Sequence, residues 1–198
     1  MSYQKIRIQK ILHKNCCGAI VAIHMAALKN DILPAMGTDF MNRYYNYIIN
    51  DKNQIVLGAF FGDYLIGFCQ ISFAKVSVFG IIKANPRMLY RLILMFLEHP
   101  VLFARGVYEA LFSKNMSFPE IAFIAVHENY RGKGIGEMLI RHASHISKTM
   151  GHDYMYTKTS EDRVKEMYRK KFDASISKHN AFFKTYWDIS WRVSNYSH

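Results

Sequence analysis

An apolar strand, a glycine-rich turn and an amphipathic helix follow one another without a gap in residues 119–150, PEIAFIAVHENYRGKGIGEMLIRHASHISKTM. Residues 121–126 are apolar with β-branched members, the pattern of a buried strand. Residues 127–131 break that pattern. Beyond Gly134, the positions Ile135, Met138, Leu139, Ile146 and Met150 recur at helical spacing, and Gly151 stands where a helix would stop. The turn is therefore expected to be a helix N-terminus. Gly132, Gly134 and Gly136 remove side chains where backbone N–H groups can approach a ligand, and the positive end of the helix dipole favours an anion there.

Spacing separates the phosphate-binding readings of such a turn. A P-loop requires GxxxxGK[ST], which is absent. A dinucleotide fingerprint requires GxGxxG, but Glu137 occupies the third glycine position and no βαβ pattern opens the chain. The segment Arg131-Gly132-Lys133-Gly134-Ile135-Gly136 resembles the R/Q-x-x-G-x-G/A signature of the GCN5-related N-acetyltransferase (GNAT) superfamily. That resemblance implies a loop, Arg131 to Glu137, whose amides bind the coenzyme A pyrophosphate, and acetyl-CoA as the cosubstrate.

The rest of the chain is consistent with one domain over residues 1–198. At 198 residues, 51% hydrophobic and 15% aromatic, it can build a sizeable core and is not a disordered chain. Twenty-six Lys and Arg against 15 acids give a formal charge of +11, which attracts polyanions without selecting among coenzymes, nucleotide sugars, acyl carrier proteins, nucleic acid or anionic lipid. Three cysteines, two of them adjacent at Cys16 and Cys17, imply no disulfide framework. The N-terminal MSYQKIRIQK lacks an apolar signal region, so a cytoplasmic location is expected.

In chain order, residues 3–11 alternate as a first strand, and Asn15 is placed to cap a helix to about Leu28. A turn over 31–37 precedes a helix over 40–49, capped by Thr38 or Asp39, with Met41, Tyr44, Tyr45 and Ile48 on one stripe. Strands over 54–61 and 64–73 are joined by Gly62-Asp63 as a hairpin turn. This β-α-α-β-β order resembles the N-terminal half of the same family. Residues 75–117 exceed the minimal family pattern: an apolar helix starts at Pro86 and stops near Pro100, and a second runs over about 101–112. Charges interrupt both, so no transmembrane segment is expected. This helical insertion could pack as extra core, cover the acceptor site, form a homodimer contact, house a long acyl chain or touch a membrane surface. A fifth strand over 153–159 sets Tyr154, Tyr156 and Lys158 on one face. A helix over 161–169 and strands over 172–177 and 185–193 complete an α/β fold with a mixed sheet of about seven strands.

Amine attack on a thioester needs a proton acceptor, donors for the carbonyl oxygen and a donor for the departing thiolate. Glu120 resembles the glutamate that opens the central strand in histone-type family members, where it is the general base. Ile124 stands where the family polarises the thioester carbonyl through a backbone N–H, with Ala125 beside it, and Val126 where the strand pairs with the pantetheine arm. Tyr168 is the candidate acid, because Met167-Tyr168-Arg169-Lys170-Lys171-Phe172 resembles the F-Y-x-K-x-G-F ending of the family. The segment departs from that ending in lacking its glycine and in carrying Glu161 where the family usually has asparagine. The first two helices wall the acceptor site in this family, which makes His24, Asp39, Arg43 and Tyr44 acceptor-site candidates. His142 and His145 share a helix face but have no third ligand, and no metal is assigned. The expected activity is acetyl transfer from acetyl-CoA to a small-molecule amine, an amino sugar or its nucleotide derivative. Two alternatives stay open: a longer acyl donor such as acyl carrier protein, and a non-catalytic basic binding module. Nucleic acid is not an expected partner of the enzyme.

Overall fold

Alternation of side chains along the strands sorts the apolar residues into two cores, one on each face of a single sheet. The computed structural model describes residues 5–29, 31–84, 86–104, 117–181 and 184–193. The elements run β1 (Arg7–Lys10), α1 (Cys17–Ala27), α2 (Ile32–Ala35), α3 (Thr38–Asn50), β2 (Gln54–Phe61), β3 (Tyr64–Ser72), α4 (Val78–Ala84) and α5 (Arg87–Glu98). Then come β4 (Glu120–Val126), α6 (Ile135–Thr149), β5 (Tyr154–Thr159), α7 (Asp162–Phe172), β6 (Ser175–Ala181) and β7 (Lys184–Arg192). The strands lie in the order β1-β2-β3-β4-β5-β7-β6. Every neighbouring pair is antiparallel except β4 and β5, which are parallel because α6 carries the chain back across the sheet between them.

Phe68 of β3 and Val56 and Phe60 of β2 face α1 and α3, and pack on Ile20, Val21, Met41, Tyr45 and Ile48. Cys69 and Ile71, with Leu57 and Ala59, face α6 and α7. The central helix turns its small side chains Ala143, Ser144 and Ser147 to the sheet together with Ile135, Leu139 and Ile140. Met150, expected on that face, is exposed instead. Small residues let the helix approach closely, and the Trp191 indole N–H donates to the Ser144 hydroxyl at 3.0 Å, so the serine is buried without leaving its oxygen unpaired.

Several expectations are corrected in detail. Asn15 lies inside a 3-10 turn, Lys14–Cys16, and does not cap α1. Residues 31–37, expected as a turn, hold the short helix α2, where Pro34 falls in the first turn and forfeits no hydrogen bond. Neither Thr38 nor Asp39 caps α3: Gly37 takes that position, the Thr38 hydroxyl contacts Met25 Sδ, and Asp39 pairs with Arg43. The insertion holds α5 as expected and also α4, whose seven residues around Gly80 are too short for a periodic signal. Residues 100–104 are helical, and the remainder of the helix expected over 101–112 lies outside the described residues. The strand expected from Phe172 begins at Ser175, because Phe172 ends α7 in ring contact with Tyr168 and Trp191, and Asp173 turns the chain at φ 48°.

His24 lies wholly inside the α1/α3 core. Its Nδ1 is hydrogen-bonded to the Tyr45 hydroxyl, its ring packs on Phe68 and Phe123, and burial lowers its pKa to about 4. The folded state therefore resists a protonation that the unfolded chain accepts near pH 6.5. The stability this contributes is complete above that value and is lost as pH falls towards 4, about 3 kcal/mol in all. Urea-unfolding midpoints of the wild type and of His24→Phe, measured across this window, are expected to diverge, with the wild type losing more stability on acidification. Parallel curves would show that His24 does not titrate with folding.

Candidate active site

Pairing between β4 and β5 is confined to one bridge, Glu120↔Tyr156. Beside it, the Tyr156 N–H donates to Pro119 O at 3.0 Å and the Thr157 hydroxyl donates to Ile121 O at 2.9 Å. Beyond that point the two strands part. β5 is held on its other side by an unbroken ladder of six residues to β7, and β4 by its ladder to β3. The β3–β4 register steps from Gln70↔Phe123 to Ile71↔Ile121, so Ala122 is an extra residue, a bulge that turns β4 at the opening. The His127 N–H donates to Ile66 O at 2.9 Å on β3. Peptide groups alternate along a strand, so those of Ala125 face β3, and those of Ile124 and Val126 face the gap.

The gap leads to the glycine-rich turn. After β4 comes a 3-10 turn, Glu128–Tyr130, then Arg131 in extended conformation, whose Nε folds back to donate to Val126 O at 3.1 Å. Gly132 and Gly134 both have φ +77°, which a side chain would strain, and Gly134 is the N-cap of α6. A glycine offers no capping oxygen, and the first bond into the helix is Met138 N–H to Gly134 O. The N–H groups of Ile135, Gly136 and Glu137 therefore have no acceptor within the helix. A Cβ placed on Gly132, Gly134 or Gly136 would meet nothing within 4 Å, so the space beside these amides is open. Arg131 and Lys133 flank it, with Lys133 Nζ 4.9 Å from the Tyr130 ring centroid. The Glu137 carboxylate is tied to Arg141 at 2.6 Å and lies 3.6 Å from Lys171; the Arg141 hydrogen bond holds it below the usual carboxylate range. Its charge is thus matched within the protein. Open amides, two flanking cations and the gap beside β4 fit a long ligand with a diphosphate at one end and amide groups along its length.

Glu120 and Tyr168 lie on opposite faces of the sheet near the β4–β5 bridge. Glu120 pairs with Ser72, on the α1/α3 face, and burial pushes its carboxyl up to about 7, against the opposing charge of Lys158 and with the aid of Asp188. Beneath it runs a buried polar chain. The Ser72 hydroxyl donates to Gln54 Oε1, Gln70 Nε2 reaches the same oxygen, and Gln70 bonds the Tyr44 hydroxyl. Tyr168 lies in the opposite core against Trp191 and Phe172, beside Thr157. Its phenol oxygen is buried with no hydrogen bond of acceptable geometry, and burial raises its pKa well above 10.

The acceptor-site candidates do not come together. His24 is enclosed in the core, and Tyr44 is buried with its hydroxyl committed to Gln70, so neither lines an open wall. Asp39 and Arg43 pair with each other at 3.0 Å, one helical turn apart, with the Asp39 side chain mostly exposed. Sequence reasoning did not single out Lys158 and Asp188 beside Glu120. Alternation had set Lys158 on one face with Tyr154 and Tyr156, but only the bridge to Glu120 shows that this is the face of the candidate base. His142 hydrogen-bonds Met138 O within α6, and among the described residues no three His, Cys, Asp or Glu side chains converge as metal ligands.

Comparisons with known proteins bear on the fold and the family. No curated protein matches the chain. Among solved structures, a GNAT-family acetyltransferase from Streptococcus pneumoniae has a TM-score of 0.56 at 15% identity, covering 96% of this chain and 100% of its own. YncA of Salmonella typhimurium, solved with acetyl-CoA, has a TM-score of 0.60 at 12% identity, covering 98% and 96%. The PaiA N-acetyltransferase of Thermoplasma acidophilum, solved with coenzyme A, has a TM-score of 0.56 at 12% identity, covering 95% and 99%. At these identities the likeness is one of fold. The family model described as "Acetyltransferase (GNAT) family" matches residues 23–173, well over half the sequence. The chain therefore belongs to the GNAT acetyltransferase family.

Proposed function

We propose that the protein transfers the acetyl group of acetyl-CoA directly to a primary amine of a small molecule, with an amino sugar or sugar nucleotide as the preferred acceptor. The observation that carries this reading is the placement of two perturbed groups on opposite faces of the sheet beside the single β4–β5 bridge: Glu120 at about 7 on one face, and a buried Tyr168 phenol beside Thr157 on the other. Acetyl-CoA supplies an acyl group activated as a thioester. The open amides of Ile135, Gly136 and Glu137 bind its diphosphate, aided by Arg131 and Lys133, and the gap-facing peptides of Ile124 and Val126 hold the arm that carries the acyl group.

An amine that attacks the carbonyl must lose a proton. A carboxylate near 7 is a far better acceptor at neutral pH than one near 4.5, and Glu120 takes that proton directly or through water. As the carbonyl oxygen gains charge, the Ile124 N–H donates to it. The sulfur leaves on the other side with the bonding electron pair. A phenol well above 10 does not surrender its proton outright to the departing thiolate, so Tyr168 acts by donating a hydrogen bond to it. Lys158 beside Glu120 supports an acceptor that carries an anionic group, as a nucleotide sugar does.

Because Glu120 must be ionised, kcat/KM is expected to rise with pH with a midpoint near 7. Glu120→Gln should abolish that limb and lower the rate roughly 100-fold or more. A profile unchanged by the substitution removes Glu120 from the proton path. Tyr168→Phe gives a paired result: relieving an unpaired buried hydroxyl should leave stability unchanged or raise it by about 1 kcal/mol, while kcat falls roughly tenfold or more. Equal kcat in the two proteins would make the tyrosine a packing residue.

Gly136→Ala separates binding from folding at the loop. The position is inside the first turn of α6 and has open space, so alanine should hold or improve stability while its methyl group obstructs the diphosphate. Coenzyme A titrated by calorimetry should bind more weakly to this variant, and undiminished affinity would move the diphosphate elsewhere. Thiol release assayed against amino sugars, sugar nucleotides, amino acids and polyamines tests the acceptor. Preference for a polyamine would overturn the acceptor class and leave the acetyl transfer standing.

A further inference from the structure

Ten large apolar side chains are more than half exposed among the described residues, and six of them fall within residues 89–101: Leu89, Tyr90, Ile93, Phe96, Leu97 and Val101. α5 meets the body of the protein along a narrow stripe, Met88, Leu92 and Met95, spaced i, i+4, i+7. The first five exposed residues then cover an adjoining arc of about 120°, at about 100° of rotation per residue. Phe103 packs edge-on against Phe96 with ring centroids 5.4 Å apart, which joins the turn over 100–104 to the same apolar surface. Scattered exposed hydrophobics are ordinary, but a patch of this kind on one helix marks a place where something docks.

The charges around the patch select the occupant. Arg87 and Arg91 project from α5 beyond the Tyr90 edge of the arc, both exposed and neither ion-paired among the described residues, and exposed Lys83 lies in α4, the helix that precedes it. Glu98 is the one acid in α5. Packing this face against a second copy would bring like charges together in a chain of net charge +11, whereas an anionic lipid surface supplies the counter-charge for each. α5 has 12 residues, about 18 Å of helix, too short to cross a bilayer core of about 30 Å, and no described helix is long and apolar enough to do so. An amphipathic helix of this kind lies along an interface.

We infer that the protein docks peripherally on anionic bilayers through the exposed apolar face of α5 and the adjoining turn over 100–104, with Lys83, Arg87 and Arg91 against the lipid headgroups. Met88 and Met95 belong to the same core as α1 and α3, so the docked layer is the one on the Glu120 face of the sheet. The docking itself does not depend on the reaction proposed above.

The test is co-sedimentation of the full chain with vesicles of phosphatidylglycerol and phosphatidylcholine in equal parts, against phosphatidylcholine alone. Binding to the mixed vesicles is expected, weakening as salt is raised. The double variant Ile93→Glu, Phe96→Glu changes exposed positions, so it should keep its far-ultraviolet circular dichroism and coenzyme A affinity while vesicle affinity falls at least roughly tenfold. Arg87→Glu with Arg91→Glu should lower it as well. Absence of binding to the mixed vesicles overturns the inference, as does equal binding to phosphatidylcholine alone or full binding by the apolar double variant. A dimer seen by light scattering that Ile93→Glu, Phe96→Glu converts to monomer, with no vesicle binding by the wild type, would assign the face to a second copy.

Discussion

The parallel contact between β4 and β5 stops after one bridge, and the arrangement of the candidate site follows from that interruption. Two neighbouring strands normally zip together until one of them ends, because every unpaired backbone group in a dry place costs roughly 1–3 kcal/mol. Here each strand is held elsewhere: β4 by its antiparallel ladder to β3, β5 by six paired residues on β7. The extra residue at Ala122 turns β4 just where it would otherwise continue alongside β5. The sheet therefore opens between β4 and β5, where the gap-side donors and acceptors of β4 have no neighbouring strand to pair with. In the proposed reading, an extended ligand bearing amide groups would complete the sheet at that point and bind with little dependence on side-chain identity.

Separating the sheet also separates the chemistry. A strand places consecutive side chains on opposite faces, so Glu120 and Ile121 enter different cores. Glu120 falls on the α1/α3 face, where burial beside Lys158 and Asp188 shifts its titration towards neutrality. Tyr168 comes up from α7 on the other face, where its hydroxyl is buried beside Thr157 without a hydrogen bond of acceptable geometry. In the proposed reading, base and hydrogen-bond donor thus stand on separate faces of the sheet. The same low-dielectric surroundings that make a buried carboxyl reluctant to ionise make it useful as a proton acceptor near pH 7, so the cost in stability and the gain in proposed reactivity have one origin.

Much of this was legible in the sequence where a residue's effect is local. The glycines of RGKGIG, the strand before them and the helix after them specify a helix N-terminus with open amides whatever the rest of the chain does. The hairpin at Gly62-Asp63 and the alternation in β5 and β7 were likewise readable. What could not be read was which faces meet. Tyr44 and His24 lie on helices that border an acceptor site in the family, yet periodicity does not say whether a polar residue on an inward stripe lines a cavity or is paired inside the core. Gln70 and Tyr45 supply those pairs from distant parts of the chain. Lys158 was visible, but its proximity to Glu120 depends on a crossover through α6 that brings β5 beside β4. α4 was missed because seven residues give too little periodicity to register.

Arg131 joins the two halves of the site. Its Nε donates to Val126 O, so one acceptor on the gap side of β4 is satisfied from within the chain. If the arm of coenzyme A lies along β4 as proposed, it competes with Arg131 for that carbonyl. A guanidinium released from it stands at the start of the glycine-rich turn, where the diphosphate is expected and where a bidentate cation-to-phosphate contact is stronger than a bond to a neutral carbonyl. One exchange would thus open the strand edge and deliver positive charge to the phosphates. That coupling requires an arginine directly before the glycines, five residues beyond the carbonyl it covers, which is where the sequence places it.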